Sequence, residues 1–554
     1  MRTAYGVLLA AVMLAAFAIY VISRHLPPAS LAGSGTIWGV VRDANGPIAG
    51  AAVRVQASSN NTRSGVDGRF VLRGVAPDAT VTITAWAPSY YVGWTKAKTG
   101  DQPVAIILKR HYTADNPDYN WFSQEGDAGS RNCGKCMPGL YGQWQRDAHS
   151  RSAVNPRFLT MYNGTDVFGD KSPSTRYGYS PDYGQFPLRP DPAQPYYGPG
   201  YRLDFPRTGG NCATCHVPAA AAKPGQEYAV DPNGVSGVEA EGVFCEFCHK
   251  VGGVTLDSAT GLPHQNRPGV LSLRLYRPGE GQQLLFGTLD DVTRRVSCLP
   301  LEKESAFCAP CHFGVFWDTV VYNSFGEWLN SPYSDPNNGQ TCQDCHMPAT
   351  DASTFAFPEN GGHKRPPGHV HDHRMPGAAD DQFLRSAVAL AASTLIEDDR
   401  LIVTVRITNN KTGHHVPTDS PLRQIILLIS AVDSQGRILS FRDGPRVPPW
   451  GGVGDPNQGY YAGQPGKGYA KVLEELWTGI SPSGAYWNPT RVLSDNRLAP
   501  FATDTSSYVF SSPNEGKGMV KITLIFRRAF IELRDQKGWD IPDIVMAQRS
   551  IPIP

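Results

Sequence analysis

No cysteine lies before position 133 or after 345, so thiol chemistry is confined to the middle of the chain. Charge is scarce too: only 18% of residues are charged, below the usual quarter. Nor is there an excess of one sign. Lys and Arg number 51, Asp and Glu 50, and a net charge of +1 excludes the basic footprint of a non-specific nucleic-acid binder. Apolar residues are not lacking; at 41% they exclude a disordered chain. The place of the missing charges is taken by 57 Gly, 46 Pro and 23 Tyr, which points to irregular segments and β structure rather than helical bundles. At 554 residues the chain is too long for one ordinary domain, and three or four units are expected.

Residues 5–23 are almost entirely apolar, between Arg2 and Arg24-His25. A run of this length is enough to cross a bilayer as a helix, and long for the core of a cleaved signal. A signal cut after Ala32, at Ser30-Leu31-Ala32, is the competing reading, but that cut lies far from the apolar run. The reading adopted is a retained membrane anchor over 1–25 followed by a linker over 26–35. Either way, the chain beyond position 33 is exported.

Residues 36–110 read as a small β-sandwich. Short β-rich runs near 36–41, 52–56, 70–72, 81–86 and 104–108 are separated by turns such as Asp43-Ala44-Asn45-Gly46 and Asp67-Gly68-Arg69. The stretches Gly39-Val40-Val41-Arg42-Asp43, Gly46-Pro47-Ile48-Ala49-Gly50-Ala51 and Asp67-Gly68-Arg69-Phe70 resemble the carboxypeptidase regulatory-like, transthyretin-like domain. The resemblance implies a spacer or docking module without catalysis. Residues 385–554 return to β structure. Leu401, Val403, Val405 and Ile407 alternate with more polar neighbours, Val520, Ile522, Leu524 and Phe526 repeat the pattern, and 424–430 is a fuller apolar run. A C-terminal β-sandwich with a long irregular insertion near 440–510 is expected. Between these ends, 111–384 has weak periodicity, and 177–201 gives no helix or strand signal. Such a stretch needs something other than side chains to supply its core.

The cysteines say what that is. Ten of the 11 form five Cys-x-x-Cys pairs: Cys133/Cys136, Cys212/Cys215, Cys245/Cys248, Cys308/Cys311 and Cys342/Cys345. Four are followed at once by histidine: His216, His249, His312 and His346. This is the attachment pattern of c-type haem. Two thiols add across the two vinyl groups at one porphyrin edge, and the adjacent imidazole ligates iron from the proximal face. Zinc would not need the immediate histidine, and disulfides leave it unexplained. Haem c at four sites is expected. Its attachment outside the cytoplasm puts the N-terminus of the anchor inside.

The first pair departs, with Met137 where histidine is expected. Met137 as proximal ligand, another side chain as ligand, and a lost haem with a Cys133–Cys136 disulfide all remain open; a retained fifth haem is the reading preferred. His149, His264, His371, His373 and His414 are candidates for second axial ligands. His369-Val370-His371-Asp372-His373-Arg374 is a dense cluster close after the last haem motif.

From 133 to 420 the chain resembles the multihaem cytochromes c typified by tetrahaem cytochromes of nitrifying bacteria and their octahaem relatives. The carrying phrases are Trp144 with His149, Cys212-Ala-Thr-Cys-His216, Glu241-Gly-Val-Phe-Cys245-Glu-Phe-Cys248-His249, Glu327-Trp328, Cys342-Gln-Asp-Cys345-His346-Met347-Pro348, His371-Asp372-His373 and Gly413-His414-His415-Val416-Pro417-Thr418. The resemblance implies that His149, His371 or His373, and His414 are distal ligands reaching haems of other segments, and that haems pack closely enough for electron hopping. The solitary Cys298 reads as a buried small hydrophobe.

The expected fold is therefore multidomain: an N-terminal transmembrane helix, a small β-sandwich, an irregular haem-packed cytochrome core with short helices, and a C-terminal β-sandwich contributing distal histidines. The expected role is a membrane-tethered exported electron carrier with redox partner proteins and no nucleic acid, self-assembly or a larger redox complex being left open. The alternative is an oxidoreductase acting on a small nitrogen or sulfur compound at the unusual haem of segment 133–149.

Overall fold

The computed structural model describes residues 35–122, 129–182, 184–188, 191–513 and 517–553. The chain divides into two compact units. One runs to His111 and includes Leu289–Cys298 and His363–Pro366. The other comprises Tyr112–Thr288, Leu299–Gly362 and Pro367–Pro554.

The first unit is built from β1 (Ile37–Asp43), β2 (Gly46–Pro47), β3 (Ala52–Val55), β4 (Asn61–Arg63), β5 (Arg69–Leu72), β6 (Thr80–Trp86), β7 (Gly93–Lys98) and β8 (Val104–Ile107). One sheet has the order β2-β1-β5, with β8 pairing β1 in parallel; the other is β4-β3-β6-β7. Side chains alternate across each strand, and Ile37, Val41, Val53, Phe70, Leu72, Ile83 and Ile106 fill the space between the sheets. The β1–β8 contact needs Gly39, because a Cβ there would lie 2.0 Å from the Val104 carbonyl oxygen. The two later segments are tied in by polar contacts. Asp291 is buried, accepts the Ala57 N–H at 2.7 Å and pairs with Arg365 at 2.8 Å. Arg54 pairs with Asp290 at 2.8 Å, and Trp86 Nε1 donates to Ser297 Oγ at 3.1 Å.

The second unit ends in a sandwich of two four-stranded sheets. Its strands are β9 (Ala389–Glu397), β10 (Arg400–Thr408), β11 (Gln424–Asp433), β12 (Phe441–Asp443), β13 (Gly466–Tyr469), β14 (Thr503–Ser511), β15 (Gly518–Arg527) and β16 (Ile544–Ile553). The orders are β9-β10-β14-β12 and β13-β11-β15-β16. Leu401, Val403, Val405 and Ile407 face Ile425, Leu427, Ile429, Ile522 and Leu524 in one core. The region expected to be an irregular insertion is more regular than that. It carries β12, β13 and much of β14, with a further hairpin of Lys471–Glu475 and Thr490–Asp495. The alternation in β14 escapes notice because only Tyr508 and Phe510 among its inward positions are large and apolar.

The first half of this unit is short helices and turns around two apolar clusters. One gathers Trp121, Trp144, Val217, Phe244, Phe247 and Val251; the other Met161, Tyr162, Tyr201, Trp487, Phe530 and Trp539. The segment thus has more apolar packing of its own than its periodicity promised. The Tyr-rich stretch read as structureless contains a hairpin, Arg176–Ser180 with Gly184–Leu188.

The fold expectation is corrected at one point. Among the described residues no helix is long and apolar enough to cross a membrane. The longest, Pro156–Asn163, has eight residues, which span about 12 Å at roughly 1.5 Å each, against a hydrocarbon core of about 30 Å. The apolar run at 5–23 lies outside the described residues, and the transmembrane helix is dropped from the fold.

Candidate haem-binding centre

Each Cys-x-x-Cys pair occupies about one helical turn, which sets the two thiols on one face. Cys212–His216, Cys245–Cys248 and Cys342–His346 are helical, and Arg131–Gly134 carries Cys133. Cys308 to His312 forms a turn in which the His312 N–H donates to the Cys308 carbonyl at 3.2 Å. The last helix starts on a capping box. The Asp344 N–H donates to Thr341 Oγ1, and Asp344 Oδ2 accepts the Thr341 N–H at 2.7 Å.

Three of the four motif histidines and several of the candidate ligands share one feature. Nδ1 of His216 is 3.1 Å from the Ser152 carbonyl oxygen, His249 2.8 Å from that of Phe286, and His346 2.7 Å from that of Pro376. His371 reaches the Met347 carbonyl at 2.9 Å, His373 that of His371 at 3.0 Å, and His414 that of His415 at 2.9 Å. His149 Nδ1 lies 2.6 Å from Asp147 Oδ1. A carbonyl partner fixes the proton on Nδ1 and turns the Nε2 lone pair outward, the arrangement that metal-bound histidines use. Burial pushes His216 and His414 below the usual imidazole range. It takes His346 down to about 4, helped by neighbouring His414, and His373 down to about 4, helped by His249. These imidazoles are therefore held neutral, as ligation requires. His249 differs: burial lowers it, but the Glu302 carboxylate 3.6 Å away outweighs burial and raises it.

The rings also come together in pairs. His149 and His312 have centroids 6.2 Å apart, and His346 and His414 6.4 Å apart. Thiols of different motifs are neighbours: Cys133 with Cys245, Cys215 with Cys311, and Cys308 with Cys342, while Cys248 lies near Cys308 and Cys311. All ten paired cysteines are half-buried residues. His249 keeps 37% of its side chain accessible although protein surrounds it. Gly269 leaves room beside the second pair, since a Cβ there would sit 2.8 Å from Cys215 Sγ and 2.3 Å from the Thr214 oxygen. Paired thiols on one face, an adjacent neutral imidazole and open surface beside them suit covalent haem. Among the described residues no three His, Cys, Asp or Glu side chains converge to hold a metal ion directly.

Other expected residues fall elsewhere. Met137 is half-buried and caps the helix Pro138–Trp144. His264 is half-exposed, with Nδ1 4.0 Å from Asp257, and no ring contact joins it to a motif histidine among the described residues. Cys298 is half-buried rather than enclosed. The sequence did not flag Lys250, a fully buried cation that donates to the Leu284 carbonyl and lies 3.4 Å from Glu246; burial pushes it down to about 8. Its position directly after His249 was the only signal available.

Two comparisons bear on class. Residues 36–106 match the family model of the carboxypeptidase regulatory-like domain. A penta-heme cytochrome c552 from Thermochromatium tepidum is similar in structure at a TM-score of 0.50 and 20% identity, over 76% of this chain and 98% of that one. The first unit thus contains a carboxypeptidase regulatory-like domain, and the chain shares the fold of a multihaem cytochrome c. The Danio rerio Fcho1 Mu homology domain with bound Eps15 peptide overlaps at a TM-score of 0.12 and 7% identity, over 26% of this chain and 39% of that one, which carries no fold relationship. No curated protein matches the sequence.

Proposed function

We propose that the chain is an exported c-type cytochrome that passes electrons along four or five covalently bound haems. The observation that carries this reading is the set of four Cys-x-x-Cys-His motifs, joined by histidines whose Nδ1 atoms are anchored. Bound haem would supply the redox chemistry; the protein supplies spacing, axial ligands and a low-dielectric surround. Export follows from the site of haem attachment.

The pairs His149–His312 and His346–His414, with ring centroids 6.2 and 6.4 Å apart, bring two imidazoles close enough that each pair would hold one haem iron. We assign His149 opposite His312 and His414 opposite His346. His373, whose charge environment includes His249, is assigned opposite His249. His371 is assigned to the haem of Cys133–Cys136, because the backbone N–H of His373, two residues on, donates to Gln143 Oε1 just beyond that pair. Met137 is the remaining candidate on the proximal side.

The thiol neighbours order the haems. The first adjoins the third, the third adjoins the fourth, and the second and fifth both adjoin the fourth. Haems bound at these sites would give electrons a route from the first site to the fifth through the third and fourth, with the second as a side branch. The comparison cytochrome's five haems agree with the higher count. A stepwise reductive titration of the purified protein tests the reading. Four or five electrons per chain are expected; uptake of two or fewer overturns it.

A further inference from the structure

Arg423 and Arg528 stand at the end of a ladder. Gln424 pairs with Arg527 as the last register position of β11 and β15, so the next residues outward, Arg423 and Arg528, lie opposite one another. Arg157 is brought beside them by Phe158, which packs on the cluster of Leu422, Ala529 and Phe530 and stacks on His216 at 3.8 Å between centroids. Arg157 feels the charge of both others, and Arg528 that of Arg423. Burial and the other two hold Arg157 down to about 10, and burial with Arg423 lowers Arg528. Among the described residues, these three guanidiniums have one carboxylate within ion-pair distance, Asp419, 3.7 Å from Arg423. Arg423 also donates to the Thr418 carbonyl at 3.0 Å. Asp381 and Asp540 act on Arg528 only from farther away. Among the described residues the Arg157 and Arg528 guanidiniums have no hydrogen bond, and Arg528 Nε is buried without a partner. All three arginines are half-buried; partly desolvating a cation without a partner is costly, and a guanidinium fork matches a two-oxygen anion.

We propose that Arg157, Arg423 and Arg528 form a binding site for a carboxylate or similar small oxyanion beside the haem of Cys212–His216. Two sources supply that chemistry: a propionate of a covalently held haem, which rests on the cytochrome reading, or a free oxyanion from solution. The test uses the haem-loaded full chain with Arg157→Gln and Arg528→Gln, and Arg157→Lys as the charge-keeping control. Saturable calorimetric binding of inorganic phosphate at constant ionic strength, weakened at least tenfold in both Gln variants and largely kept in the Lys variant, identifies a free oxyanion. No phosphate binding, with one haem's reduction potential lowered in the Gln variants and restored by Arg157→Lys at unchanged haem content, identifies a propionate. The potential falls because removing a nearby cation disfavours the added electron. Gln variants with wild-type haem potentials and wild-type phosphate behaviour overturn the proposal. Absence of covalent haem would instead defeat the cytochrome reading and leave the phosphate arm to decide this one.

Discussion

Single side chains decide how the ligand loops are held. Glu327 is 2% exposed, receives Arg497 at 2.7 Å and Thr418 Oγ1 at 2.5 Å, and accepts the His415 N–H at 3.1 Å. Burial alone would raise its carboxyl, but the contacts from His415, Arg497 and Thr418 win and take it down to about 2. A folded value below the unfolded one gives stability that is present above about pH 4.5 and lost as pH falls toward 2; the shift corresponds to about 3 kcal/mol. Glu327→Gln should therefore destabilise the second unit by about 3 kcal/mol at pH 7 and flatten its acid unfolding between pH 5 and 2. An acid limb identical to wild type would show that another carboxylate governs it. At the haems, His414→Ala should turn one haem from low-spin to high-spin, read in the electron paramagnetic spectrum; unchanged spin states would break the His346–His414 pairing. Met137→His should lower the potential of the first haem, because imidazole stabilises the reduced iron less than a thioether does. A titration that does not move would leave Met137 a packing residue.

At the scale of elements, local signals were legible where one period ruled. The alternation of Leu401, Val403, Val405 and Ile407 reads directly as β10, and the Gly and Asn turns read as the first sandwich. The motif cysteines and their histidines stand out in the sequence because covalent attachment of the proposed haems would dictate their spacing. What stayed hidden depends on residues distant in sequence. The distances His149–His312 and His346–His414 span 163 and 68 positions, and no local pattern encodes them. The same holds for Asp291 and Arg365, which join the first unit from far along the chain. Residues 36–109 should fold alone into a β-protein, since every member of that core lies between Ile37 and Leu108. In the full chain, Arg365→Met should destabilise the first unit by roughly 3–5 kcal/mol, because Asp291 is left buried without its cation. Equal thermal midpoints for the variant and the wild type would show that the later segments add nothing.

Over the whole molecule, labour is divided between the β structure and the middle of the chain. The β structure supplies frames, and the middle of the chain supplies the thiols and imidazoles that would hold the proposed haems. Such a region has a core of small apolar clusters, and covalent cofactors would complete it. Loss of one attachment site, as in His216→Ala with Cys215→Ala, should lower haem content by one and reduce the thermal midpoint of the second unit. The most direct test is the number of covalent haems per chain, measured by intact mass together with the pyridine haemochrome spectrum. Four or five are predicted, five if the Cys133–Cys136 pair is loaded. Two or fewer in fully matured protein would contradict the account.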